Sequence, residues 1–265
     1  MTPDQRYDIL RRFKGYGDLT RARIVYIGIE EHDGWTEADL LRSFGIDMEE
    51  HGYESILDRQ LSFLESGTLG RADWDRSDKN WTKRTVKRNT LEGVQIMLGR
   101  RIRSESWNEP GIPGTDEEYH KRSFGEIEFQ ANLWPLGKSK AKEEEWDSVK
   151  DTYHKIFGVP LDLEQYQNDC IHARLQVLRE VVDKARSNGQ HTVTIIFGKH
   201  DIWNGRFWNQ IRGAVFPNTS IEFNPKDRVV WSTDGRVCLA VQRSGANGLK
   251  NWEMKSIVDS LKNIR

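Results

Sequence analysis

Apolar positions along this chain fall into two periods. Short unbroken runs of β-branched and aromatic residues alternate with longer stretches in which apolar residues recur every three or four positions. The first kind predicts buried strands and the second amphipathic helices. Residues 24–27 are such a run, so a strand is expected over 23–29, closed by Gly28. FGEIEFQANL, over 124–133, predicts a second strand that ends at Trp134-Pro135. TVTIIF over 192–197 predicts a third, ended by Gly198, and 237–241 a fourth. Residues 220–223 and 229–231 read as shorter strands.

Helical spacing fills the intervals. Thr2-Pro3-Asp4 opens a helix that runs to Phe13, with Pro in its first turn. Further helices are expected over 36–44, 53–64, 82–101, 143–157, 201–212 and 252–262. The longest covers 163–187, with Ile171, Leu175, Leu178, Val181 and Val182 along one face. Residues 65–81 are polar and rich in Gly and Asp, which suits a loop. Residues 104–123, with Pro110 and Pro113, read as a long loop of the kind that often carries function. Apolar strands separated by helices imply an α/β fold. The expectation is a three-layer α/β/α sandwich around a mostly parallel four-stranded sheet. One domain spans 1–265, with an N-terminal helix within 1–20.

In a parallel sheet, ligands bind outside the carboxyl ends of the strands. The four main strands end in IGIEEHD, NLWPLG, FGKHD and VQRSGA. Each exit carries polar or ionisable groups, and a parallel sheet collects all four on one edge. The first exit brings Glu30, Glu31, His32 and Asp33 together, followed by Gly34 and Trp35. Three acids beside a glycine also suit a solvated turn.

Composition narrows the class. The chain has 265 residues, 36% of them hydrophobic, with ten Trp and ten Phe to fill a core. A net charge of −1 excludes no partner, because positive charge can gather on one face. Two cysteines, Cys170 and Cys238, point away from a disulfide framework and towards a reducing compartment. No apolar h-region stands in the first residues, and no apolar run approaches the roughly 20 residues of a membrane span. A cytoplasmic, monomeric protein without a membrane segment is expected.

The order of the exits resembles the uracil-DNA glycosylase superfamily. Gly28-Ile29-Glu30 resembles its first motif, Gly-x-acid, which follows a strand. Phe129-Gln130-Ala131-Asn132-Leu133 resembles the strand whose terminal Asn reads the base edge, and Trp134-Pro135-Leu136 resembles the wording that follows in divergent branches. Ile195-Ile196-Phe197-Gly198-Lys199 resembles the third element, and Val241-Gln242-Arg243-Ser244 stands where the family has His-Pro-Ser. The resemblance covers roughly residues 20–262. It departs where Glu31-His32-Asp33 replaces the family's Pro, and where Gln242 or Arg243 replaces its His. These departures point to a divergent member that acts on a modified base.

The resemblance implies a three-layer fold with a parallel sheet, and cleavage of an N-glycosidic bond in DNA without a cofactor. Such cleavage passes through a sugar with oxocarbenium character, which a carboxylate from Glu30 or Asp33, with Glu31 a third candidate, stabilises while activating water. Gln242, Arg243 or Ser244 supplies a donor to the departing base. Asn132 offers donor and acceptor to a base edge, and Trp35 or Trp134 an aromatic face. Asn132 equally suits a turn before Pro135, and both tryptophans suit a core.

Charge adds a partner. From Lys79 to Arg103 there are eight Lys/Arg against one acid, Glu92. Lys83, Arg84, Lys87 and Arg88 share one helical face, which suits the phosphate backbone of single- or double-stranded DNA or a solvated surface. Lys138, Lys140 and Lys142 follow the second exit, and Lys199 lies at the third. Two rival readings share these residues. Glu30, Glu31, His32, Asp33 and His200-Asp201 are ligand types for a metal-dependent nuclease or hydrolase. No HExxH, EF-hand or zinc spacing accompanies them, so no metal is expected. The other rival is a non-catalytic reader of modified nucleic acid on the same scaffold.

Overall fold

The computed structural model of the protein describes residues 2–17, 19–32, 128–138, 146–188, 191–199, 206–222, 227–242 and 251–261. The expected helices over 36–44, 53–64 and 82–101 and the loops over 65–81 and 104–123 lie outside the described residues.

Helix α1 (Pro3–Arg11) starts where Pro occupies the first turn. The Gln5 backbone N–H donates to Thr2 Oγ1 (3.3 Å) and the Thr2 N–H to Gln5 Oε1 (2.8 Å), a reciprocal capping box. Strand β1 (Tyr16–Gly17) follows, then β2 (Ile24–His32) and β3 (Glu128–Lys138). Helices α2 (Lys150–Phe157) and α3 (Leu163–Arg186) lead to β4 (Val193–Lys199). Helix α4 (Arg206–Val215), β5 (Val229–Trp231), β6 (Val237–Gln242) and α5 (Asn251–Leu261) complete the order.

The strands form one sheet in the order β1-β3-β2-β4-β6-β5. β3, β2, β4 and β6 are parallel to one another, and the short edges β1 and β5 run antiparallel to their neighbours. The four parallel strands are those that the apolar runs predict. β1 extends the sheet beyond expectation, since two residues are too few to show a period. Residues 220–222 carry no strand.

Strand alternation assigns the two faces. Val25 and Ile27 join Phe129, Ala131, Ile196 and Leu239 in a core shared with α2, α3 and α4. Ile24 and Tyr26 join Val193, Ile195, Phe197, Cys238 and Ala240 in a second core closed by Ile257, Val258 and Leu261 of α5. Helices therefore cover both faces, which makes the α/β/α layering, and burial on both sides accounts for the unbroken apolar runs. All five residues of the apolar face expected on α3 are buried.

Several boundaries differ from expectation; β4, for one, runs through Gly198 to Lys199. β2 does not end at Gly28, because its pairing with β3 continues through Gly28↔Asn132, Glu30↔Trp134 and His32↔Lys138. β3 likewise runs past Trp134-Pro135. The register shifts between Glu30 and His32, and a Pro, which lacks an N–H, fits such a bulge. α2 begins at Lys150, with 146–149 in turns. There the Trp146 indole N–H donates to Leu161 O (2.8 Å) and its ring stacks on Tyr166 at 4.9 Å, which draws this segment off the helical path. α2 ends at Gly158, whose φ of 65° is left-handed and whose N–H donates to His154 O (2.8 Å). A Cβ there would also press on Asp4 Oδ1 at 3.0 Å.

Cys170 and Cys238 are both buried and free. Burial raises both thiols, Cys170 to about 11. Among the described residues no helix is long and apolar enough to cross a membrane.

Candidate functional site

The connections of the parallel strands define a switch point. The chain passes from β2 outward to β3, then returns to the other side of β2 to form β4. In doubly wound sheets a ligand crevice opens at the carboxyl ends of the two strands where the winding reverses. Here those strands are β2 and β4. Their ladder ends at Ile27↔Ile196, whereas β2–β3 pairing runs on to His32↔Lys138 and β4–β6 pairing to Lys199↔Gln242. The sheet thus divides into two strand pairs beyond Ile27 and Ile196, with Gly28 on one side and Phe197 on the other.

Gly28 is a close-approach glycine. It pairs with Asn132, and a Cβ on it would coincide with Asn132 Oδ1. The Asn132 amide therefore lies over the backbone of β2 on the face that Tyr26 and Ile24 share. Asn132 is only 6% exposed. Phe197, 9% exposed, has the same facing and stacks on Tyr26 with centroids 5.9 Å apart. An amide and an aromatic ring thus stand on the strands either side of Gly28, with the amide laid over the glycine.

Helix α3 supports this wall from the opposite face. Tyr166, Cys170 and Arg174 stand four residues apart and make one stripe. Arg174 is fully buried and donates to Asn132 O (2.7 Å), Leu133 O (3.2 Å), Arg11 O (3.0 Å) and Phe13 O. The Leu136 N–H donates to Tyr166 Oη (3.3 Å), and burial holds that phenol far above its ordinary pKa, so it stays neutral.

The residues singled out by sequence fall into three groups. Asn132 lies over Gly28, just beyond the end of the β2–β4 ladder. Glu30, Gln242, Lys138 and Lys199 have strand positions on the same carboxyl edge. Glu30 is opposite Trp134, Lys138 opposite His32, and Lys199 opposite Gln242. Asp33, Trp35, Arg243, Ser244, Lys83, Arg84, Lys87 and Arg88 lie outside the described residues. Glu30, Glu31 and His32 continue the strand beside β3, so they do not form the solvated turn that three acids beside a glycine also suit. Trp134 is 2% exposed and tilts against Tyr166 at 6.4 Å, so its ring is core packing and presents no open face.

Sequence reasoning missed Phe197, Arg174 and Tyr166. Phe197 ends an apolar run and looks like any core residue, while Arg174 interrupts an apolar helix face and looks like a surface charge. The signal available for Arg174 was its spacing: it falls on the buried stripe between Ile171 and Leu178. Among the described residues no group of three or more His, Cys, Asp or Glu is placed to hold a metal. The arrangement can hold a flat polar heterocycle, with an amide to pair its edge and a ring to contact its face. No protein-family model, curated protein or solved structure matches the chain.

Proposed function

We propose that this protein is a monofunctional DNA glycosylase related to the uracil-DNA glycosylase superfamily, which removes a flipped, modified base. The observation that carries the reading is Asn132, a buried amide laid over Gly28 at the switch-point edge. A side chain with one acceptor and two donors can distinguish base edges by the pairs it makes. The Gly-x-Glu and strand-Asn motifs that suggest the resemblance occupy facing positions in the β2–β3 ladder, which supports reading them as one site.

In this reading the base enters the crevice beside Asn132. Glu30, or Asp33 beyond it, stabilises positive charge on the sugar and orients water. The C1′–N bond breaks as water oxygen adds to C1′, and the base leaves with a proton. Gln242, Arg243 or Ser244 donates to the departing base. Trp35 takes the aromatic role that the core position of Trp134 leaves open. Lys83, Arg84, Lys87, Arg88, Lys138 and Lys199 contact the DNA backbone. The protein works as a cytoplasmic monomer with no cofactor.

The test is incubation with DNA carrying modified bases in EDTA, followed by alkali. Strand cleavage at the modified base is expected, with Asn132→Ala and Glu30→Gln or Asp33→Asn losing on the order of 10²-fold or more in rate while still binding DNA. Retardation of modified DNA without alkali-labile sites would make the protein a reader. Strand cleavage that EDTA abolishes would make it a metal-dependent nuclease.

A further inference from the structure

Arg174 belongs to no site that the sequence suggests, yet it touches the residue at the centre of one. Burying a guanidinium is costly unless its donors are used, and an apolar side chain would fill the same stripe on α3. Its donors reach two segments distant in sequence: the end of α1, through Arg11 O and Phe13 O, and the exit of β3, through Asn132 O and Leu133 O. Among the described residues β1 pairs with Phe129 and Gln130. Beyond that point, among the described residues, β2 is the one strand beside β3, and α3 adds side-chain partners. Tyr166, two turns before Arg174 on the same stripe, holds Leu136. α3 therefore holds this stretch at Asn132, Leu133 and Leu136, alongside the β2 pairing of Asn132 and Trp134.

Asn132 Oδ1 packs over Gly28, where a Cβ would clash with it. A shift of the Asn132 backbone therefore carries its amide along β2. We infer that Arg174 is a positioning residue: it fixes the Asn132 carbonyl, and through it the orientation of the Asn132 amide in the crevice. The inference rests on the reading of Asn132 as the base-reading group. It also makes α1 a buttress of the site, since the same guanidinium takes the carbonyls at the end of that helix.

Two variants of the full chain test this. Arg174→Lys keeps charge and stem but loses the planar fork, and Arg174→Met keeps only the stem. The first readout needs no activity. The Asn132 side-chain NH2 pair, identified in a nitrogen–proton correlation spectrum by its loss in Asn132→Asp, is expected to shift or broaden in folded Arg174→Lys. An unchanged pair overturns the inference. The second readout is a double-mutant cycle on abasic-site formation. Arg174→Lys is expected to lower kcat/KM by roughly tenfold or more with affinity for unmodified DNA unchanged. Asn132→Ala with Arg174→Lys is expected to lose no more than Asn132→Ala alone. Additive losses, or failure of both Arg174 variants to fold, assign Arg174 to the fold alone and overturn the inference. If the wild-type protein forms no abasic sites, the glycosylase reading fails while the NH2 pair still decides the role of Arg174.

Discussion

On the β4–β6 side of the switch point, backbone pairing runs unbroken from Thr194↔Val237 to Lys199↔Gln242, so a continuous ladder supports that wall. On the β2–β3 side the ladder is interrupted by a register shift between Glu30 and His32, next to Pro135. Side chains from α3 add to the ladder there: Arg174 on two carbonyls, Tyr166 on an N–H, and a ring contact from Trp134 to Tyr166. The contrast shows where specificity can be built. A ladder sets strand spacing but offers no freedom in the placing of one residue. Asn132 pairs with Gly28 in the regular part of the ladder, and the Arg174 donor on its carbonyl adds a second constraint on its placing.

Predictions follow from the contrast, beginning with the largest. Arg174→Met leaves buried carbonyls unpaired and should cost about 3–5 kcal/mol, read from the urea midpoint, whereas Phe197→Leu on the laddered wall should cost about 1 kcal/mol. Equal costs would remove the distinction between the walls. Gly28→Ala places a methyl on Asn132 Oδ1 and should cost roughly 1–3 kcal/mol. Adding Asn132→Ala should relieve a measurable part of that cost, giving a coupling of about 1 kcal/mol. Additive stabilities would mean that the two residues do not meet. Tyr166→Phe removes the acceptor of the Leu136 N–H and should cost about 1–2 kcal/mol, with amide exchange quickened at Leu136 and not at Val241.

Alkaline pH gives a subtler probe of the α3 stripe. Cys170 is raised from 9.0 to about 11, first by burial, so the folded state keeps its thiol neutral while the unfolded chain ionises. Its contribution is fully present below pH 9 and lost as pH rises from about 9 to 11. Cys170→Ala should flatten that part of the stability–pH curve. An unchanged slope would mean that Cys170 is not buried as described.

The sheet was legible in the sequence because burial on both faces leaves unbroken apolar runs, as in 24–27 and 192–197. The edge that gathers the exits was legible too, since parallel strands must end together. The exact ends were not. Gly28 looks like a terminator, but it is there because Asn132 crosses the neighbouring strand, a pairing 104 positions away that no local pattern records. Trp134 was read with two alternatives, and its contact with Tyr166, a residue on another element, decides for the core. Arg174 was invisible for the same reason: its partners are 41–163 positions away in sequence.

The central claim is that ligand enters between β2 and β4. It is tested most directly by titrating isotope-labelled protein with a short oligonucleotide carrying a modified base and following backbone and Asn side-chain amides. The account expects the largest shifts at Gly28, Gly198 and the Asn132 NH2 pair, with little change at Gly158 or Gly235 away from that edge. Shifts that leave Gly28, Gly198 and Asn132 unmoved while other residues respond would contradict it.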